Sequence, residues 1–230
     1  MAASIDHLVV MASDLAQGVA WCETTLGVTP GPGGEHPLMG THNRLLKIAT
    51  AQHRTAYLEI IAINPVAPKA VPARARRWFD MSDPALQAQV AHHGPTLIHF
   101  VAGVPDVAAS VSTLAAQGID RGTVIQASRA TASGLLQWQI SVRDDGQRLF
   151  DGCLPTLIEW GDAHPTEAMP ASGVTLQSLH VQHPQATALN AAYNALHLSA
   201  VTAETGAPRL SAQLQTPKGV VTLHSPAFTP

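Results

Sequence analysis

Two histidines and two glutamates stand in apolar, strand-like runs of this sequence, where an ionisable side chain needs a reason. His7 lies in "IDHLVV" and Glu59 in "YLEII", while His99 lies in "TLIHFV" and Glu159 in "TLIEW". Each glutamate follows its histidine, by 52 residues in the first case and 60 in the second. Alternation along a strand puts Ile5, His7 and Val9 on one face, and likewise Tyr57, Glu59 and Ile61; His99 shares its face with Leu97. A carboxylate in such a row is costly to bury unless it is paired or bound to a metal. Two carboxylates beside two imidazoles would repel each other unless a cation sat between them. Two nitrogen and two oxygen donors suit Zn²⁺, Fe²⁺, Ni²⁺ or Mn²⁺, with water completing the shell. Taken singly, each histidine could be a satisfied core residue and each glutamate could face solvent; the recurrence of the pair argues for the metal.

The elements that would position these residues repeat along the chain. Residues 4–28, 96–119 and 176–200 each open with a strand-like run carrying a histidine (His7, His99, His180) and then turn helical. In the first, Ser13 or Asp14 can cap a helix whose stripe is Leu15, Val19, Cys22 and Leu26, with Gly27 as its stop. In the second, Asp106 caps and Gly118 stops. In the third, Pro184 opens the helix and Leu189, Tyr193 and Leu196 form the stripe. Several short strand candidates follow each helix, so each unit reads as β-α-β-β-β.

The expected fold class is therefore α+β: two modules, 1–63 and 96–162, paired into a curved, roughly eight-stranded open barrel, with a third module at 163–230. Residues 64–95 read as a linker or insertion with a helix opened by Asp83-Pro84 and stopped by Gly94, and "RARRW" at 74–78 as a solvated helix start. The third module lacks a mate in the chain, and it could either pack on the first pair or pair with a second copy; the latter motivates a possible homodimer. In the third unit His180 and His224 have no matching carboxylate and read as structural.

Composition narrows the function classes. The 230 residues carry a net charge of −3, only 13% charged residues and no basic excess, which speaks against a nucleic-acid binder. Twelve histidines nearly equal the 13 Lys plus Arg, which directs attention to metal or acid-base chemistry. Two distant cysteines, Cys22 and Cys153, make no disulfide framework, and Cys153 in "DGCLP" could be exposed. The first residues lack the basic segment and long apolar run of a signal peptide, and no stretch reaches the length of a membrane helix, so the expected location is cytoplasmic.

The ordered set "IDHLVV", "GGEHPLMGTHNRLLKI", "YLEII", "SRATASGLLQWQI" and "LPTLIEWGDAHP" resembles the glyoxalase-like domain proteins of the vicinal-oxygen-chelate superfamily. The resemblance covers roughly residues 4–165. It implies paired β-α-β-β-β modules enclosing a divalent metal, with His7, Glu59, His99 and Glu159 as the ligands. It also implies isomerase, lyase or dioxygenase chemistry on a small oxygen-chelating substrate, with Glu59 or Glu159 able to serve as the general base. Some members of the superfamily bind drugs without a metal, so a metal-free binding or drug-sequestering protein is the alternative.

The glycine-hinged loop "GPGGEHPLMGTHN" offers His36, Thr41, His42 and Asn43 as ligand contacts, or equally as an ordinary surface turn. Arg129 could hold an anionic group or be a surface charge. Trp138 could line the cavity or pack in the core.

Overall fold

The computed structural model describes residues 2–66, 77–131 and 134–226. The chain follows the β-α-β-β-β plan three times. The first unit is β1 (Ser4–Met11), α1 (Leu15–Leu26), β2 (Glu35–His36), β3 (Thr41–Lys47) and β4 (Tyr57–Ile63). Helix α2 (Pro84–His93) lies between the units. The second unit is β5 (Thr96–Gly103), α3 (Val107–Ala115), β6 (Thr123–Thr131), β7 (Gly134–Val142) and β8 (Thr156–Trp160). A single turn, α4 (Pro165–Ala168), leads to the third unit: β9 (Thr175–Gln182), α5 (Ala186–Ala195), β10 (Ala203–Glu204), β11 (Arg209–Thr216) and β12 (Gly219–His224).

The helix ends use the expected chemistry. Asp14, Asp83 and Asp106 accept hydrogen bonds from the free backbone N–H groups of Gln17, Ala85 and Ala109. Gly27 closes α1 in the left-handed conformation, φ 79°, which a residue with a Cβ adopts only with strain.

The first two units form one eight-stranded curled sheet in the order β2-β3-β4-β1-β5-β8-β7-β6. Strands β1 and β5 pair antiparallel at its centre, and each has the last strand of its own unit as a parallel neighbour. The arrangement is pseudo-twofold. His7 pairs with Val101 and Val9 with His99, so His7 and His99 occupy equivalent positions. The convex face carries Ile5, Leu8, Val10, Leu58, Ile60, Leu97 and Phe100 against the helices. The concave face carries Val9, Met11, Ile61, Ile98, Val101, Ile140 and Ile158.

The third unit forms its own four-stranded sheet, β10-β9-β11-β12, whose buried side chains join the convex-face core of the same chain. Tyr193 donates to the Cys153 carbonyl at 2.5 Å, and the Leu176 amide donates to Ile48 O at 2.8 Å, tying it to both other units. Its opposite face is solvated. There the exposed His180 and His224 flank Ser211, whose hydroxyl bonds His224 Nδ1 at 2.9 Å.

Cys153 is fully buried rather than exposed, because it lies beneath the third unit; burial pushes its thiol, like that of Cys22, up to about 12. Of the basic stretch 74–78, residues 74–76 lie outside the described residues. Trp78 does open a short 3-10 turn, Trp78–Asp80, but it is not solvated: it is buried in the concave cluster with Phe79 and Met81. Among the described residues no helix is long and apolar enough to cross a membrane.

Candidate active site

The concave face of the first unit holds a cleft whose floor is His7 on β1 and Glu59 on β4. Both point inward because His7 shares a face with Val9, and Val9 is the parallel partner of Glu59. His7 Nε2 faces Glu59 Oε2 at 3.7 Å, and both residues are only 4% exposed. On its far side the imidazole is held by Asp6, whose Oδ1 accepts from His7 Nδ1 at 2.6 Å. This leaves Nε2 as the nitrogen that looks into the cleft. Asp6 Oδ2 also accepts from Trp160 Nε1 at 2.9 Å and from His164 Nε2 at 3.1 Å. Burial alone would raise the Asp6 carboxyl, but hydrogen bonds and charge from His164 and His7 bring it down to about 2. Asp6 is thus an anion that orients His7.

The glycine-hinged loop supplies the third wall. Strands β2 and β3 form a hairpin with Glu35 opposite His42 and His36 opposite Thr41. The Gly34 amide donates to Asn43 Oδ1 at 2.8 Å, which turns Asn43 Nδ2 onto Glu59 Oε1 at 2.6 Å. Asn43 Nδ2 also lies 3.4 Å from His36 Nε2, and His36 Nδ1 lies 3.1 Å from the Thr41 hydroxyl. Burial pushes His36 down to about 4, so it is a neutral imidazole near pH 7. Gly33 has to be glycine here: a Cβ on it would fall 2.1 Å from Asn43 O.

Aromatic rings close the cleft. Tyr57 stacks on His7 with ring centres 4.5 Å apart, and Trp78 meets His36 edge-on at 5.0 Å. Burial and the Asp6 and Glu59 charges keep the Tyr57 phenol protonated, far above its ordinary range. Trp138 and Trp160 complete the wall, and Arg129 stands at the mouth, where a broader groove begins between residues 31–34, 134–136 and 163–172.

Of the residues singled out in the sequence, the structure gathers His7, Glu59, His36, Asn43, Arg129 and Trp138 around this cleft, with Thr41 behind His36. His99 and Glu159 are not brought to it. His99 is fully buried; its Nδ1 donates to Gly152 O at 2.8 Å, and its Nε2 accepts from the Thr156 amide at 3.1 Å. Glu159 lies on the convex side, where Oε2 accepts from the Val107 amide at 2.9 Å in the first turn of α3.

Strand register accounts for the split. Val9 is the parallel partner of Glu59, and Val101, its symmetry equivalent, is the partner of Thr156. The residue equivalent to Glu59 is therefore Thr156, three positions before Glu159, and an odd offset along a strand reverses the face. A bulge opposite Val9–Val10 likewise places His99 with Val9 rather than with Leu97.

Asp6, Tyr57, Trp78, Phe79, Trp160 and His164 join the site without having been singled out for it. Asp6 and Tyr57 adjoin or align with His7 and Glu59, so strand position could have found them. Trp78 and Phe79 come from the apparent linker, and His164 from a stretch that reads as a polar connection; neither carries a local signal.

The 5–197 segment, most of the chain, matches the family model described as a glyoxalase-like domain. The chain belongs to the glyoxalase-like domain family. No curated protein matches it. Among solved structures, a hypothetical protein from Staphylococcus aureus is similar over 98% of this chain and 86% of its own, with 13% identity and a TM-score of 0.58. At that identity the likeness speaks to the fold. A variant of Streptomyces coelicolor methylmalonyl-CoA epimerase in complex with 2-nitronate-propionyl-CoA is 17% identical, covering 71% of this chain and 100% of its own, with a TM-score of 0.42. Methylmalonyl-CoA epimerase from Mycobacterium tuberculosis is 16% identical over 72% of this chain and 91% of its own, with a TM-score of 0.38.

Members of the superfamily commonly bind divalent metals, and this glyoxalase-like chain supplies only part of the expected ligand set. His7 and Glu59 face each other, but His99 has both ring nitrogens engaged and Glu159 is on the other face of the sheet. Among the described residues no three His, Cys, Asp or Glu side chains gather as a metal site. The set of four does not fit a metal held between the two modules.

Proposed function

We propose that this glyoxalase-like protein is a small-molecule enzyme that removes a proton from carbon next to a carbonyl, as in isomerisation or elimination, with Glu59 as the general base. One observation carries the reading. Glu59 is a buried carboxylate in an aromatic-walled cleft whose closest partner is a neutral amide, Asn43, rather than a cation. A structural carboxylate at this depth is ordinarily neutralised by a close ion pair. Here His7 and His36 stand off at 3.7 and 3.9 Å, leaving room for a substrate hydrogen to approach Glu59 Oε2.

The division of labour follows from the hydrogen bonds. Asn43 fixes the carboxylate through Oε1 and leaves Oε2 to take the proton. His7, oriented by Asp6, presents Nε2 beside it; when protonated, that nitrogen donates to the oxygen that becomes negative as the carbon–hydrogen bond breaks. Tyr57, Trp78 and Trp138 exclude water, which strengthens both interactions. Arg129 at the mouth attracts an anionic substrate group.

The test is deuterium wash-in. A panel of 2-oxo and 3-oxo carboxylates incubated with the protein in D₂O is followed by proton NMR. Exchange at the carbon acid that disappears in Glu59→Gln supports the reading. Saturable binding of panel members with no exchange points instead to the binding or sequestering module, and exchange that survives Glu59→Gln removes the assigned base.

A metal-bound form rests on a separate observation, the Asp6–His7 pair, since a carboxylate commonly orients a metal-ligating histidine in this way. It would draw on His7 and Glu59, the two of the four expected ligands that face each other across the cleft, with Zn, Fe, Ni or Mn as its candidates. Elemental analysis of protein purified without a metal-affinity column decides it: less than about a tenth of an equivalent, with no gain on reconstitution, would end that form, because structural and catalytic sites bind near stoichiometrically.

A further inference from the structure

The second module holds a cation that the first does not. Arg121 is 2% exposed, yet its one hydrogen bond among the described residues is from Nη2 to the Thr156 hydroxyl, at 2.6 Å. Its Nε and Nη1 are buried and have no partner. The carboxylates whose charge it feels, Asp120 and Asp145, are engaged by Arg143, which contacts Asp120 Oδ2 at 3.2 Å and Asp145 Oδ2 at 2.5 Å. Trp78, whose indole N–H is also buried without a partner, lines the same narrow cavity as Arg121, as do Thr156 and Ser141. The buried side-chain atoms without partners here, on Arg121 and Trp78, are all donors. Burial lowers the Arg121 guanidinium only to about 10, so it stays charged at neutral pH.

A buried guanidinium with two idle nitrogens, Nε and Nη1, is costly unless an anion compensates it. No described carboxylate lines the cavity, which has room for a guest about the size of one water molecule. We propose that this cavity is a halide-sized anion site, with Arg121 Nε and Nη1 as its principal donors, structural in role and separate from the cleft at Glu59. Its occupant fastens the aromatic insertion at Trp78 and Phe79 to strands β7 and β8, since residues of all three line the cavity.

The experiment uses the whole chain. In gluconate buffer at constant ionic strength, titrating bromide should raise the melting temperature saturably, by about 3–5 °C for a site of modest affinity. Arg121→Met should abolish the rise. Crystals equilibrated with bromide should show an anomalous peak within hydrogen-bonding distance of Arg121 Nε or Nη1, a measurement that stands even if the variant does not fold. Density there without anomalous signal means water alone and overturns the proposal. A melting temperature that follows ionic strength regardless of the anion, or sulfate acting through Arg121 as well as bromide does, also overturns it.

Discussion

The two modules place the same histidine at equivalent points of one sheet, and only one of them makes an open site. In the first, His7 faces a carboxylate across a cleft, with Asp6 behind it and neutral groups around it: Asn43, His36 and Tyr57. In the second, His99 is sealed by Gly152 O and Thr156, Phe79 packs against its ring at 5.2 Å, and the nearby charge is the cation Arg121. The register-equivalent residues Glu59 and Thr156 account for much of the difference. A carboxylate at that point keeps an electrostatic demand, and the cleft opens over it. A hydroxyl at that point is satisfied locally and lets the pocket close. Duplication thus preserved the backbone while the polar chemistry of the two halves went opposite ways, one anionic and one cationic.

The largest expected effect tests the catalytic half. Glu59→Gln should lower the wash-in rate by about 10²–10⁴-fold, the range general base catalysis contributes, while leaving the circular dichroism spectrum unchanged. An equal loss in Glu159→Ala would break the comparison, since that carboxylate faces α3.

Asn43→Asp should come next. It sets a second carboxylate against Glu59, so the acidic, ascending limb of the rate profile should move to higher pH as the pair resists double ionisation, with a drop of about tenfold at pH 7. A profile that keeps its shape would mean that Asn43 does not touch the reacting group.

The buried histidines make stability pH-dependent in a stated direction. His99 lies well below its ordinary value through burial and the charge of Arg121, and His36 lies near 4. Each is neutral when folded, whereas the unfolded chain takes up protons as pH falls through about 6.5. Folding stability should therefore be fully present above about 6.5 and decline below it, for His36 down to about pH 4, by at most about 1.4 kcal/mol per pH unit for each histidine. Urea titrations of His99→Gln across this window should show a shallower decline than the parent. An unchanged slope would mean that His99 is protonated in the folded protein.

The smallest effect belongs to Glu159. Its carboxylate caps a free amide in the positive first turn of α3, so Glu159→Ala should cost about 1 kcal/mol in urea denaturation and leave exchange untouched.

Much of this was legible in the chain itself. Three strand-helix units, their Asp caps and the Gly27 stop follow from local chemistry, because capping and periodicity act over a few residues. The membership of His7, Glu59, His36 and Asn43 in one site could be anticipated from polar residues set in apolar strands and on a glycine-hinged loop. The place of Glu159 could not. "YLEII" and "TLIEW" look alike as strings, and only the pairing of Val101 with Thr156 reveals the three-residue offset that turns the second glutamate outward. Nor could the apparent linker disclose that Trp78 and Phe79 wall the cleft, or 161–173 that His164 completes the Asp6 network. Those contacts bridge elements far apart in sequence, and they exist only once the sheet has curled. By itself the sequence determined which units form and which residue types stand in them, since those are local preferences. The tertiary structure decided which of the two modules stays open, because register and the packing of a distant insertion choose the face each polar group meets.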